Sequence, residues 1–219
     1  TELAMLNGSN VAVVGDGSPE NWEIIQFQDA VLVGDKTYEL TQLLRGQLGT
    51  DAGQPSAWPE GSYFVLLDGT PEQIGLPASE RGLERHYRVG PASRSYDDPS
   101  YTHVAEAFSG VGLKPLSPTH LHYTADGGDV QLSWIRRTRI DGDSWAGLDV
   151  PLGEESENYV LRVMQGSTVL REEVLTTPSW LYTATQIASD GAGAGFEIEV
   201  AQVSATYGAG AVTSLAVVT

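Results

Sequence analysis

The chain has 219 residues, 41% hydrophobic and 19% charged, with a formal net charge of -17 and no cysteine. This composition excludes a disordered chain, disulfides and thiol chemistry, and its negative charge argues against general nucleic-acid binding or docking to an anionic membrane. No apolar run approaches the roughly 18 residues of a membrane-spanning helix, and the opening "TELAMLNGSN", which lacks an initiator Met, reads as folded sequence within a longer protein.

The first half is written in short apolar segments. "NVAVV" (10–14) and "WEIIQF" (22–27) flank "GDGSPEN", a hairpin signal. "AVLVG", "KTYELTQLL" and "SYFVLLDG" follow at similar spacing and predict further strands. "PASERGLERHYRVG" (77–90) allows one helical turn, kept short by Gly82 and Gly90, and 91–112 is rich in turn residues. The prolines of "KPLSPTHLHY", Pro115 and Pro118, mark a domain seam followed by a new edge strand.

Beyond the seam the period of two is cleaner. "DVQLSWI" puts Val130, Leu132 and Trp134 on one face, and "NYVLRVMQG" does the same for Tyr159, Leu161 and Val163. "TVLREEVL" follows a tight turn at Gly166, and "SWLYTA" is a short strand. "FEIEVAQVSATYG" turns Phe196, Ile198 and Val200 inward, with Gln202 next in the series, and "VTSLAVVT" closes the chain. The predicted fold class is therefore all-β: a strand-rich module over 1–114 and a seven-stranded sandwich over 115–219.

One stretch stands out chemically. "LSWIRRTRIDGDSW" (132–145) carries Arg136, Arg137, Arg139 and Trp145 into a long loop reaching to Glu157. The same loop holds Asp141, Asp143, Asp149, Glu154, Glu155 and Glu157, so its arginines are expected to be braced by nearby carboxylates. A contact with a neighbouring subunit is the second reading, because Arg and Trp anchor interfaces. In "LLRGQLGT", Arg45 lies beside Gly46 and is expected to anchor carbonyls or a carboxylate across the fold, or else to touch a subunit. Trp58, between "QPSA" and "PEG", either caps the first module's core or offers an exposed ring to a sugar or partner.

Catalytic and metal chemistry find no pattern here. "DGDSWAGLDVPLGE" has Trp145 where a calcium loop needs its next ligand, and "DGGD" (126–129) is a hairpin turn. His120 and His122 alternate along one predicted strand, so they would share a face, but no third ligand lies near in sequence. There is no Cys nucleophile, no "G-x-S-x-G" elbow, no phosphate loop and no cofactor fingerprint. Catalytic residues, metal ligands and cofactors are accordingly all predicted to be none.

Two resemblances emerge from these residues. Residues 115–219 resemble a fibronectin type III domain: Trp134 stands at the core tryptophan of the second strand, and Tyr159 at the core tyrosine of the third. Phe196 occupies the place of the corner tyrosine, so that hydroxyl would be missing. The segments "LNGSNVAVVGDG", "KTYELTQLLRGQLGT", "FVLLDG", "ERHYRVGP", "WIRRTRIDGDSW" and "VPLGEESENYVLRVMQG" are similar to the C-terminal part of a tail-tip family. That family is the host-specificity or baseplate "megatron" protein of gene transfer agents and related tailed phages. The resemblance implies a structural, non-enzymatic role in a particle tail made in the bacterial cytoplasm. It also implies other tail-tip proteins as partners, a homotrimer of the full-length protein, and contact with a recipient-cell receptor or glycan. The alternative is a carbohydrate-binding module beside an upstream glycoside-hydrolase-like domain.

Overall fold

The computed structural model describes residues 1–142 and 149–218. The chain is all-β, with antiparallel sheets and, among the described residues, two short α-helices. It divides into two compact units. One comprises Thr1–Leu44 and Pro55–Gly112, the other Arg45–Gln54 and Leu113–Thr219. The turn from the first strand module to the sandwich thus falls at Gly112/Leu113, and a short segment from the middle of the first half belongs to the second unit.

In the first unit, helix α1 (Glu2–Leu6) precedes β1 (Val11–Gly15), β2 (Trp22–Gly34) and β3 (Thr37–Gln47), and β4 is Tyr63–Leu66. Their sheet runs in the order β3-β2-β1-β4. The hairpin at 16–21 forms as its turn residues predict, with Gly15 opposite Trp22. "WEIIQF" and "AVLVG" differ from expectation: they are one 13-residue strand, because nothing in "QD" breaks the extended backbone. Alternation buries Ala12, Ile25 and Phe27 on one face, with Val14 and Leu40 packed against them. This is a small core. Val31, Leu32, Val33 and Tyr38 at the far end of the β2–β3 hairpin are all more than half exposed.

The first unit also holds a separate two-stranded ribbon, β5 (Arg85–Val89) with β6 (Thr102–Glu106). The turn-rich reading of 91–112 missed β6. Its "THVAE" is short and polar at both ends, and pairing with β5 across the turn residues 90–101 is a tertiary choice. The expected helical turn is present as a single 3-10 turn, Ala78–Glu80.

Among the described residues, the second unit is a sandwich of seven strands: β7 (Thr119–Asp126), β8 (Asp129–Ile135), β9 (Tyr159–Gln165), β10 (Thr168–Leu175), β11 (Ser179–Tyr182), β12 (Gly195–Ser204) and β13 (Gly208–Val218). One sheet has the order β10-β9-β12-β13 and the other β11-β8-β7. Together they make a fibronectin type III-like β-sandwich. Val130, Leu132 and Trp134 from one sheet interleave with Tyr159, Leu161, Val163, Phe196, Ile198, Val200 and Val217 from the other. Every one of these was placed inward by the period-two reading except Val217, and all are 5% exposed or less. Trp134 meets Tyr159 edge to face at 5.3 Å, a favourable quadrupole geometry.

A helix, α2 (Ala184–Asp190), links β11 to β12. Its start is a capping box: Thr183 Oγ1 accepts from the Gln186 backbone N–H, and Gln186 Oε1 accepts from the Thr183 N–H. Gly191 ends it in the left-handed conformation, φ 67°. Asp190 on its last turn is a hub. Arg171 donates to it through Nε (2.6 Å) and Nη2 (3.0 Å), and the Tyr182 hydroxyl donates at 2.7 Å. The Arg171 guanidinium holds the Asp190 carboxyl below its ordinary range, while burial and Asp190 together push the Tyr182 phenol up.

Candidate functional site

The arginine loop is built from the end of β8 outward. Trp134 is the last inward residue, so the chain leaves the sheet with Arg136 half-buried at its edge. Arg136 Nη2 donates to Asp149 Oδ2 and to the Val150 carbonyl, both at 2.7 Å, and Nη1 reaches Glu157 Oε2 at 3.5 Å. Glu157 in turn accepts from the buried Tyr159 hydroxyl at 2.8 Å. Arg139 lays Nε and Nη2 on Glu154 Oε1 at 3.2 and 3.0 Å. The Glu154 side chain is 5% exposed, so this pair is largely shielded from water, and removing Arg139 would leave a buried carboxylate without its partner. Thr138 adds a local clasp, its hydroxyl donating to the Ile140 carbonyl. Two of the three arginines are therefore braced by carboxylates of their own loop, as the local charge pattern predicts.

Arg137 is different. Its guanidinium lies on Asp51, Nη1 to Oδ2 at 2.7 Å and Nη2 to Oδ1 at 3.5 Å. Asp51 belongs to the segment Arg45–Gln54, which is part of the same compact unit although it precedes the sandwich by some sixty residues. That segment is held by close approach as well. A Cβ on Gly49 (φ 86°) would collide with Leu116 Cδ2, and Gly46 (φ 62°) sits against Asp51 and Gln54. The two glycines of "LLRGQLGT" are thus used for left-handed backbone, and Gly49 for close packing too. Arg45 stands at this bend, half-buried, and its carbonyl accepts from Gln47 Nε2 at 3.0 Å.

Trp58 lies in the first unit, partly buried, and donates its indole N–H to Glu23 Oε2 at 2.6 Å. Glu23 is 1% exposed on β2. Trp58 is thus tied to a buried carboxylate of the first unit. Trp145 and Asp143 fall outside the described residues.

His120 and His122 do not share a face by simple alternation. His120 has φ 52°, and the β7–β8 register shifts between Thr119 and His122, so a bulge breaks the period. The His122 ring instead reaches Ser133 Oγ at 2.9 Å. Among the described residues, no group of three or more histidine or carboxylate side chains converges to hold a metal ion. The sequence reading missed a different pair, His86 on β5 and His103 on β6, whose Nδ1 and Nε2 are 3.0 Å apart. They lie 17 residues apart, and only the β5–β6 register brings them together.

The geometry first defines a class: an all-β chain whose second unit is a fibronectin type III-like sandwich with an ion-paired loop at one edge. Within that class, a family model described as "Rcc01698-like, C-terminal" matches residues 1–65, under a third of the chain. No curated protein matches. Among solved structures, domains d3–d4 of the rat CD45 extracellular region align with 94% of this chain and 94% of that one, at 12% identity. The TM-score of that alignment is 0.35.

Proposed function

We propose that the chain is a non-enzymatic structural part of a phage-like tail tip or baseplate, of the gene transfer agent kind. It acts in assembly with other tail-tip proteins, as a homotrimer of the full-length protein, and in contact with the recipient cell surface. The single observation behind this reading is the family match over 1–65, which coincides with the stretch from "LNGSNVAVV" to "LLRGQLGT" that resembles the tail-tip proteins. The first unit supports an assembly role. Its core is small, while Phe64, Val65, Leu66 and Leu67 on and beside the edge strand β4 are all more than a third exposed. An apolar edge without charge or proline is a surface that a partner covers.

The test is localisation. Antibody fragments against the sandwich, imaged on intact particles from a producing strain, should decorate the tail tip. Particles lacking the chain should fail to assemble tips or to transfer cargo. Decoration of the capsid, or complete particles with full transfer after its removal, overturns the reading.

A further inference from the structure

An aromatic platform lies on the first hairpin of the chain. Gly15, the last residue of β1, stands opposite Trp22 on β2 and Tyr63 on β4. The middle strand therefore places no side chain between the two rings. A Cβ on Gly15 would fall 2.5 Å from Trp22 Cδ2, and one on Gly17 would fall 2.8 Å from Tyr63 Cε2. Each ring thus rests on backbone that only glycine leaves clear, and Gly17 also takes φ 91° in the turn. The ring centroids are 6.5 Å apart with planes inclined by 40°. Tyr63 is 60% exposed and Trp22 half-buried, so the rings face outward in part.

The turn that follows Gly15 and joins β1 to β2 is polar and fixed. The Asp16 carboxylate accepts from the Ser18 N–H (2.9 Å) and from the Asn21 amide (2.7 Å), and Asn21 and Ser18 keep it below the ordinary carboxylate range. It is therefore ionised and held in one orientation, with lone pairs remaining for further donors. Glu20 adds a second exposed carboxylate to the same turn.

We propose that Trp22 and Tyr63, with Asp16 of this turn, form a binding site for a neutral saccharide. The C–H face of a pyranose is apolar and stacks on an aromatic ring, while its hydroxyls donate to a preoriented carboxylate. The sign of charge selects among sugars. Two carboxylates of the turn on a chain of net charge -17 repel uronate, sialylated or phosphorylated glycans and leave neutral ones. Two rings inclined to each other suit a twisted soluble chain rather than a flat crystalline face. The inference rests on the proposed function only for its setting at a cell surface; binding itself is a property of the hairpin.

The experiment is affinity electrophoresis of the full chain through gels containing a soluble neutral β-glucan, a galactomannan or dextran, with alginate as the acidic control. At least one neutral polysaccharide should retard the protein and alginate should not. Tyr63→Ala should weaken that retardation about tenfold, the scale of one lost stacking contact of about 1.4 kcal/mol. Asp16→Asn should weaken it less, and Tyr96→Ala, at an exposed tyrosine on another loop, should leave it unchanged. Circular dichroism confirms that each variant is folded. Failure of every neutral polysaccharide to retard the protein, or retardation indifferent to Tyr63→Ala, overturns the proposal. Either outcome leaves the tail-tip reading, which is tested on particles, standing or falling separately.

Discussion

Replacing Asp190 with Ala should destabilise the sandwich more than any single surface ion pair could. Asp190 accepts three hydrogen bonds, two from Arg171 and one from Tyr182, and its side chain is only 10% exposed. Hydrogen bonds to a charged group are worth about 1.5–3 kcal/mol, but Arg171 retains Glu173 at 2.8 Å and a quarter of its side chain remains in water. The guanidinium is therefore partly compensated. The Tyr182 hydroxyl belongs to a residue with no exposed surface, so it is left without its acceptor. The expected cost is about 2–3 kcal/mol, short of the 3–5 of a fully buried broken pair. Tyr182→Phe removes only one bond and should cost about 1 kcal/mol. In the double variant the orphaned hydroxyl is gone, so the costs should add to less than their sum, with a coupling of at least about 0.5 kcal/mol. Native-state hydrogen exchange of β8 and β12 amides, with urea denaturation of the same proteins, reads these values directly. Strict additivity, or an Asp190→Ala cost below about 0.5 kcal/mol, would refute the hub.

The same carboxylate sets an acid limit. Because its folded pKa is depressed by Arg171, its stabilisation is present above the unfolded value near 3.8 and is lost as pH falls through the lower folded value; the wild-type sandwich should lose stability there, and Asp190→Asn should flatten that slope. Trp134→Ala should cost about 3–5 kcal/mol, since the ring is 3% exposed between two sheets; an unchanged urea midpoint would contradict its place in the core. Arg137→Lys keeps the charge but loses the two-pronged contact with Asp51, so limited proteolysis should cut within 45–54 faster while the melting temperature moves little. The chain should not bind duplex DNA in a shift assay; submicromolar, salt-dependent retardation would contradict a charge of -17 and arginines occupied by carboxylates.

The sandwich core was legible in the sequence because its code is local. Val130, Leu132 and Trp134, like Tyr159, Leu161 and Val163, alternate with polar neighbours, and a strand with that pattern has only one face it can bury. The hairpins at 16–21 and Gly166 follow from turn residues for the same reason. Helix α2 is also written locally, in the Thr183–Gln186 box and Gly191, but seven mostly polar residues carry too little periodicity to announce a helix. Other features depend on which distant segments meet. Arg137 has carboxylates within a few residues, yet its partner is Asp51, 86 positions away, because Gly49 lets that segment close on Leu116. Trp58 meets Glu23 from a loop, and strand register brings His86 to His103 and sets Trp22 and Tyr63 on either side of Gly15. The sequence by itself determined which face of each sandwich strand is apolar. Which charges pair and which rings share a surface was decided by tertiary structure, since strand order and register are set by packing across the whole unit rather than by the residues at the site.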